Sequence, residues 1–522
     1  MGISIVKKLK EALKVVSSVA VLRTIFILAS LIIQFAIIFA AVLLLDKYVF
    51  YFYGVCSIAS LIISLQIVNS RNNPAYQTAW IILILFLPLF GVIIYLVLGR
   101  EHLKPKVRKG LKQMDKKTRD MLYIDDFLIE RISKTNPDAA NQMKYLYKFG
   151  GFPVYKGTAA EFLSPGEVKF KRMKEELNKA KLFIFIEYFI IADGIMWQEI
   201  LEILKKKAQE GVEVRVMYDD FGSLLTLPGK YGQYLNEHGI QHCVFGKMIP
   251  AYSALLNHRD HRKILVIDGN VGFTGGINIA DEYINKKKKH GYWKDASIML
   301  KGEAVWSLTV FFLANWDYVN DIQENFLQYQ SREPNFNLTS DGYFQPYADR
   351  PMDKDQVGEN VYLNMINRAK RYVYIESPYL VIDNEMMVSL CNAAQQGIDV
   401  RIVTPGVWDH WYVHAMTKSN YERLTESGVR IYEFTPGFLH SKIFICDDEL
   451  ATVGTVNMDY RSLYLHFECG VLIYQSSAIK AILKDFMDVL DLSHEYTYQE
   501  CKSVPLYRKV MRGLLKVFAP LM

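Results

Sequence analysis

The chain has 522 residues, of which 51% are hydrophobic and 22% are charged, and its formal net charge is +6. The length predicts two or three domains, and the composition excludes a disordered chain, a collagen-like chain and a small disulfide scaffold. Residues 1–100 carry the whole net charge, because acidic and basic residues balance over the rest of the chain. Nucleic-acid-binding proteins usually have a basic field over their globular part, so we expect no nucleic-acid partner. The six cysteines form no C-x-x-C pair, which indicates free thiols in a reducing compartment rather than disulfides or a zinc site.

Three long apolar segments without charged residues follow the basic N-terminus, at residues 24–45, 48–68 and 78–99. Each has about 20 residues, which is enough to cross a hydrocarbon core of roughly 30 Å as a helix. The first segment is too long for the apolar part of a signal peptide and is followed by two more. We therefore predict that residues 1–100 form a multi-pass membrane region, and Pro88 is expected to kink the third segment.

A basic juxtamembrane linker is predicted at residues 101–149, because eight Lys and Arg residues lie between positions 104 and 119. Such a cluster beside a membrane span favours contact with anionic lipid head groups and a cytoplasmic position for this flank. A solvated linker helix is the alternative. Three spans would place the N-terminus on the opposite face although it is basic too, so a re-entrant segment or an in-plane hairpin is a second possibility.

The chain beyond residue 150 alternates short β-rich segments with amphipathic helical ones, which is the pattern of an α/β fold. Residues 181–189 resemble residues 371–379, and further matches follow at separations of 186 to 190 residues. One long separation indicates a single duplication rather than an array of short repeats. We predict two related domains, at residues 150–330 and 345–495.

Each predicted domain contains one copy of the pattern H-x-K-x4-D-x6-G-[GT]-x-N. The first copy supplies His261, Lys263, Asp268 and Asn278. The second copy supplies His440, Lys442, Asp447 and Asn457. Two copies with identical spacing, at equivalent places in a duplication, are far more specific than one H-x-K.

Strand geometry predicts how these side chains are arranged. Residues at i and i+2 share one face of a strand, so the His and Lys of each copy project together. The returning strand brings the Asn back beside this pair, and pseudo-two-fold symmetry would place the two sets face to face. Asp268 and Asp447 lie at predicted turns with the opposite parity, so geometry favours a structural role for them.

These residue types suit transfer of a phosphoryl-type group. Lys and Asn donors match the nonbridging oxygens of a phosphodiester. One neutral His attacks phosphorus, while the other protonates the leaving alcohol and then deprotonates the acceptor. A covalent phosphohistidine follows from this scheme. No cluster has an evident metal-ligand spacing, so we predict no catalytic metal and no other cofactor.

A catalytic imidazole also needs a partner that orients its second ring nitrogen. Glu468 lies 11 residues after Asn457, but the same count from Asn278 ends on Lys289 in a lysine-rich loop. Asp295, just beyond that loop, is the better counterpart. We predict that Glu468 and Asp295 orient the histidines, with ordinary surface carboxylates as the alternative.

The doubled motif resembles that of the phospholipase D superfamily, and within it the chain resembles the bacterial cardiolipin synthases. The resemblance extends to residues 73–80 and to the C-terminal residues 514–522. It implies duplicated domains with mixed β-sheets flanked by helices, preceded by transmembrane helices in a bacterial cell membrane. It further implies condensation of two phosphatidylglycerol molecules into cardiolipin with release of glycerol.

The same resemblance implies roles for individual residues. It makes both His-Lys-Asp sets catalytic, including Asp268 and Asp447. It implies His261 as the nucleophile and His440 as the acid and base, a choice that the symmetry of the motif leaves open. His466 departs from the family pattern, because it stands where family members often carry Asn.

The C-terminal tail at residues 496–522 alternates basic and apolar residues with helical spacing. It predicts an amphipathic helix that lies on an anionic membrane or docks onto the catalytic domain.

Other functions compatible with the motif are a phospholipase D-type hydrolase, a nuclease and an inactive membrane scaffold. A hydrolase would split the same phosphohistidine with water. The charge balance and the apolar segments disfavour a nuclease, and the two intact His-Lys pairs disfavour a scaffold.

Overall fold

The computed structural model describes residues 36, 49–70, 72–99, 105–124, 126–247, 258–331, 341–351 and 355–521. The predicted span at residues 24–45 therefore lies, apart from Ala36, outside the described residues. The chain divides into two compact units. The first comprises Met1–Lys104, Ile249–Ala254 and Gly513–Met522, and the second comprises Pro105–Met248 and Leu255–Arg512.

The first unit contains the helices α1 (Val49–Val68), α2 (Pro74–Phe86) and α3 (Pro88–Ile94) and the π-helical turn Tyr95–Gly99. Among the described residues, one helix is long and apolar enough to cross a membrane, over Phe50–Val68. The predicted segment 78–99 is broken at Pro88, because a proline disfavours helical geometry in the residue before it, and Leu87 has φ −128° and ψ 75°.

From Pro105 onward, the described part of the predicted linker at 101–149 is mainly helical and belongs to the second unit. It forms α4 (Pro105–Met121), α5 (Phe127–Ser133) and α6 (Pro137–Tyr145), followed by the π-helical turn Leu146–Gly150. Met114, Ile129 and Met143 join the main hydrophobic core from these helices. These segments are therefore a packed part of the second unit.

The first predicted domain is built on a seven-stranded mixed sheet with the order β1-β8-β6-β5-β2-β3-β4. Strands β2, β3 and β4 are parallel, and β5, β6, β8 and β1 continue antiparallel. The strands are β1 (Thr158–Leu163), β2 (Phe183–Tyr188), β3 (Glu213–Asp219), β4 (Gln241–Phe245), β5 (Lys263–Ile267), β6 (Val271–Gly275), β7 (Tyr292–Lys294) and β8 (Ser297–Gly302). The helices are α7 (Gly166–Leu177), α8 (Ile195–Gln209), α9 (Asp220–Ser223), α10 (Tyr231–Glu237) and α11 (Val305–Asn320), followed by the 3-10 turn Phe326–Tyr329.

The second domain repeats this topology in an eight-stranded sheet with the order β19-β13-β12-β10-β15-β16-β18-β9. Its strands are β9 (Tyr343–Asp349), β10 (Tyr372–Glu376), β11 (Leu380–Val381), β12 (Asp399–Pro405), β13 (Arg430–Phe434), β14 (Gly437–Leu439), β15 (Ile443–Cys446), β16 (Leu450–Gly454), β17 (Met458–Asp459), β18 (Glu468–Tyr474) and β19 (Ser493–Tyr496). Its helices are α12 (Val357–Arg368), α13 (Asn384–Gln395), α14 (Trp411–Glu426), α15 (Tyr460–Tyr464) and α16 (Ala478–Asp491). Read from β9, the order matches the first sheet strand for strand, with β19 added, so the predicted duplication and fold class are confirmed.

One hydrophobic core takes side chains from both sheets and from α11 and α12. Phe312 of α11 stacks on Phe185 of the first sheet, with ring centroids 4.7 Å apart. Tyr362 of α12 stacks on Phe444 of the second sheet at 3.9 Å. A shared core holds the two halves in one unit, which fixes the geometry of any site formed between them.

The C-terminal tail forms α17 (Tyr498–Lys502) and α18 (Leu506–Phe518), followed by the short 3-10 turn Ala519–Leu521. No residue of α18 is buried. Leu506 and Val510 are exposed, while Lys509 forms an ion pair with Glu422 at 2.9 Å. The tail is thus helical as predicted, with apolar side chains that face solvent.

Candidate active site

Each H-x-K motif leads into the central antiparallel strand of its sheet, since Lys263 is the first residue of β5 and Lys442 immediately precedes β15. His261 and His440 are each 7% exposed, and Lys263 and Lys442 are 0% and 2% exposed. These four side chains, predicted from sequence to face one another, come from two halves that share one compact unit.

Backbone hydrogen bonds tie each histidine to the opposite half. The His261 N–H donates to the Phe467 carbonyl at 2.9 Å, and the His440 N–H donates to the Lys294 carbonyl at 2.7 Å. The second contact continues a short parallel ladder between β7 and β14. Each acceptor immediately precedes a predicted orienting carboxylate, so the same backbone contacts position Glu468 and Asp295.

The two predicted orienting carboxylates reach the histidines across the halves. His261 Nδ1 lies 2.9 and 3.0 Å from the two Glu468 oxygens. His440 Nδ1 lies 2.7 Å from Asp295 Oδ2. A carboxylate at Nδ1 favours the tautomer with its proton there, which leaves Nε2 for chemistry. Each half therefore supplies a histidine and the carboxylate that orients its counterpart, an exchange that the sequence analysis did not specify.

Burial is the main influence on the protonation of both histidines. It lowers the pKa of His440 to about 4, and the nearby Lys442 ammonium adds to this effect. Burial, helped by Lys263 and Lys442, holds the pKa of His261 well below its usual value. Both imidazoles are neutral near pH 7, as a nucleophile and a proton acceptor require.

The motif lysines are also held in an apolar environment. Burial lowers the pKa of Lys263 to about 7 and that of Lys442 to about 8, although nearby carboxylates oppose this. Lys263 Nζ donates to the His261 carbonyl at 2.5 Å, and Lys442 Nζ lies 2.9 Å from His440 Nδ1. An anion placed between these ammonium groups would favour their charged forms.

Glu468 is fully buried, and burial raises its pKa to about 8, with Lys263 opposing the shift. Its oxygens also accept from the Thr455 hydroxyl. The Thr that follows Gly454 in the second motif therefore fixes the orienting carboxylate, whereas Gly276 holds this place in the first motif. A Cβ at Gly276 would lie 2.1 Å from an Asp295 oxygen, so glycine leaves room there for Asp295.

The two predicted phosphate-binding asparagines differ in their partners. Asn278 accepts from the Ile190 N–H at 3.1 Å and donates to the Tyr283 hydroxyl at 2.7 Å. Asn457 is 5% exposed, and its Oδ1 has no hydrogen-bond partner among the described residues. A buried amide oxygen without a hydrogen-bond donor is costly, and a hydroxyl group of a substrate could supply that donor. Asn457 is therefore the asparagine better placed to gain a contact from a substrate.

The two motif aspartates bind backbone at the far end of their strands. Asp268 accepts from the N–H groups of Lys181, Leu182 and Phe183. Asp447 accepts from the N–H groups of Lys370, Arg371 and Tyr372. Seven residues of extended chain separate each aspartate from its histidine, on the order of 20 Å. Their positions support the turn role that strand geometry predicted and do not support the catalytic role that the resemblance implied.

The middle residue of each H-x-K points away from the His-Lys pair and meets a buried glutamate of the neighbouring strand. Arg262 Nη2 lies 2.8 Å from Glu187, and the Ser441 hydroxyl donates to Glu376. The sequence analysis missed both glutamates. The signal was present, because both stand at equivalent places in the matched segments 181–189 and 371–379.

His466 was noted only as a departure from the family pattern, and it lies inside the site. Its ring centroid is 5.7 Å from that of His261, and its Nδ1 is 3.8 Å from Glu468 Oε1. Among the described residues, these three side chains have ligand atoms within 4.8 Å of one another, close enough to share a metal ion. The sequence spacing gave no sign of this group. The Lys263 ammonium beside this group would repel a cation.

Comparison with known proteins agrees with this geometry. The family model "Cardiolipin synthase, PLD-like domain" matches residues 173–295 and 362–490, and "Phospholipase_D-nuclease N-terminal" matches residues 58–100. A Streptococcus mutans protein described as uncharacterized is 43% identical, covering 88% of this chain and 99% of its own length.

Cardiolipin synthases match over a similar share of the chain. The one from Halalkalibacterium halodurans is 33% identical over 89% of this chain and 93% of its own, and the one from a Geobacillus strain is 35% identical over 90% and 92%. The phosphatidylserine synthase of Haemophilus influenzae shares the fold, with a TM-score of 0.55 and 17% identity over 73% of this chain and 97% of its own. The chain therefore belongs to the cardiolipin synthase family of phospholipase D-like proteins.

Proposed function

We propose that the protein is a phosphatidyltransferase that condenses two phosphatidylglycerol molecules into cardiolipin and releases glycerol. The observation that carries this proposal is the exchange of carboxylates between two buried His-Lys sets. Such a site has two neutral imidazoles and two ammonium groups, which suits a phosphodiester substrate. The related cardiolipin synthases support the choice of lipid.

In the first step, Nε2 of His261 attacks the phosphorus of the donor lipid. The bond from phosphorus to the glycerol oxygen breaks, and His440 donates a proton to that oxygen. His440 must therefore be protonated at this stage. The bound phosphodiester anion raises the pKa of the nearby imidazole and supports its protonation when substrate is present. Glycerol leaves, and the phosphatidyl group stays on His261.

In the second step, neutral His440 removes the proton from a glycerol hydroxyl of the acceptor lipid. The resulting oxygen attacks phosphorus, and the bond to His261 breaks. Lys263, Lys442 and the Asn457 amide stabilise the nonbridging oxygens in both steps. The deep burial of the histidines limits access of water, which would otherwise release phosphatidic acid.

We also propose that the catalytic unit works at the cytoplasmic face of a bacterial membrane, held by the multi-pass region at residues 1–100. In this proposal the two phospholipase D-like domains occupy residues 150–330 and 345–495. We expect no nucleic-acid partner. The basic residues at 104–119 and the apolar helix over Phe50–Val68 support this arrangement.

Purified protein in phosphatidylglycerol vesicles tests the proposal. Cardiolipin and glycerol should form in equal amounts without CTP and in the presence of EDTA. Phosphatidic acid as the main product would reassign the protein as a hydrolase, and loss of activity with EDTA would contradict the metal-free mechanism.

A further inference from the structure

A cavity of about 570 Å³ lies in the catalytic unit beside helix α4, the turn Leu146–Gly150 and the segment that follows β9. No residue of the two H-x-K sets is among the residues that line this cavity. Its volume is in the range of small-molecule sites, roughly 300–1,000 Å³. The cationic side chains that line it are Arg108, Lys112, Arg119, Lys148 and Arg350.

Asp115 organises two of these cations. It accepts from Arg119 Nε at 3.0 Å and from Arg350 Nη1 at 2.8 Å. Arg350 is only 7% exposed, and Asp115 is the sole hydrogen-bond partner of its guanidinium group in the part of the chain that the structure describes. One carboxylate therefore faces two guanidinium groups, and most of the Arg350 donors are left for another acceptor.

The remaining three cations, Arg108, Lys112 and Lys148, form no ion pair with any described residue. Arg108 and Lys112 are one helical turn apart, so their charges face the same side of α4 and repel each other. Asp115 and Asp355 are the acidic residues of the lining, so five positive charges meet two negative ones. The cavity thus has an excess positive charge of three that a bound anion would neutralise.

The wall also has an apolar part. Leu111, Phe149 and Phe152 line the cavity, and Phe149 is 59% exposed. Guanidinium groups bind phosphate oxygens through paired N–H donors, while lysines contribute point charges. Cations beside an exposed aromatic ring suit a ligand with a phosphate and an apolar portion.

We propose that this cavity binds a phosphate group, separately from the catalytic site, and that its ligand is a phosphate-bearing anion, either an anionic lipid head group or free phosphate. The carrying observation is the buried Arg350 beside the unpaired Arg108 and Lys112. The site adds to the proposed transferase activity and does not depend on it.

Equilibrium dialysis of the full-length chain in detergent, with labelled dihexanoyl-phosphatidylglycerol below its critical micelle concentration, tests this site. All samples carry His261→Asn, so the lipid is not consumed and the outcome is independent of the product assay. Arg108→Glu combined with Lys112→Glu removes the unpaired charges. Lys109→Glu combined with Lys116→Glu makes the same charge change on the same helix, at exposed residues outside the lining.

The cavity variant should weaken lipid binding at one class of sites at least about thirty-fold, since each of the two cations near bound phosphate contributes about fivefold in affinity. The control variant should weaken lipid binding at these sites less than about twofold. Displacement of the label by equimolar inorganic phosphate would identify free phosphate as a sufficient ligand. Failure of phosphate to compete would identify the lipid head group. Equal effects of both variants, or no effect of the cavity variant, would overturn the proposal.

Discussion

Replacing Glu468 by Gln separates the orienting role of this carboxylate from its space-filling role. The side chain keeps its size, but the carboxyl group that faces His261 Nδ1 at 2.9 and 3.0 Å becomes an amide. The Gln amide can donate an N–H to Nδ1, which favours the tautomer with its proton on Nε2. The nitrogen that attacks phosphorus would then be protonated and no longer nucleophilic.

The expected loss is large because the amide reverses the tautomer preference of the nucleophilic imidazole. Amide replacement of the orienting carboxylate in a catalytic triad lowers kcat about 10⁴-fold. We expect a loss of about 10³- to 10⁴-fold in kcat here, with a small effect on KM, because Glu468 contacts the histidine and not the lipid. The assay is initial-rate formation of cardiolipin in phosphatidylglycerol vesicles.

The matched control is Glu495→Gln, which makes the same amide replacement at a carboxylate that is paired with Arg430 and 42% exposed. Its activity should change less than about twofold. If Glu468→Gln kept more than a tenth of the wild-type kcat while remaining folded, the proposed orientation of His261 would be refuted.

Three further predictions concern stability and pH. Lys263→Met should raise the melting temperature and abolish transfer. The reason is that it removes an ammonium group whose burial lowers its pKa to about 7. A lower melting temperature would contradict this reasoning. Because burial lowers the pKa of His440 to about 4, its contribution to the free energy of unfolding is complete above pH 6.5 and declines as pH falls towards 4. Denaturant titrations at pH 7 and pH 5 should show this decline, and His440→Gln should flatten it. Asp268→Ala should lower the free energy of unfolding by about 2–4 kcal/mol, since three backbone N–H groups lose their acceptor. The folded fraction should retain its kcat, and a collapse of kcat at unchanged stability would instead make Asp268 catalytic.

Much of the catalytic unit is predictable because its strand and helix patterns are local in the sequence and occur twice along the chain. Alternation of strand and helix patterns, repeated once, predicts two sheets of the same topology, and the structure confirms them. Strand parity predicts that His261 and Lys263 share a face and that Asp268 does not. In the structure Lys263 Nζ donates to the His261 carbonyl, and Asp268 binds the backbone of residues 181–183.

What the sequence leaves open is how the two halves meet. The spacing identifies Glu468 and Asp295 as orienting residues, but a symmetric motif does not say which histidine each one serves. Backbone contacts from His261 to Phe467 and from His440 to Lys294 decide it. Such contacts between distant segments have no local sequence pattern.

Other features depend on tertiary packing in the same way. The charged helix α4 resembles an exposed linker by composition, yet Met114 on one of its faces is buried in the main core. Glu187 lies in a strand with no exposed residue, and only the structure shows that it holds the middle residue of H-x-K.

Identification of the covalently modified residue tests the central claim most directly. The chain is mixed with labelled phosphatidylglycerol, quenched within one turnover under alkaline conditions that preserve phosphohistidine, digested and mapped by mass spectrometry. The account predicts a phosphatidyl group on the peptide that contains His261, and none on the peptide that contains His440. A label on His440 would contradict the assignment of the nucleophile, and rapid cardiolipin formation without any labelled histidine would contradict the covalent mechanism itself.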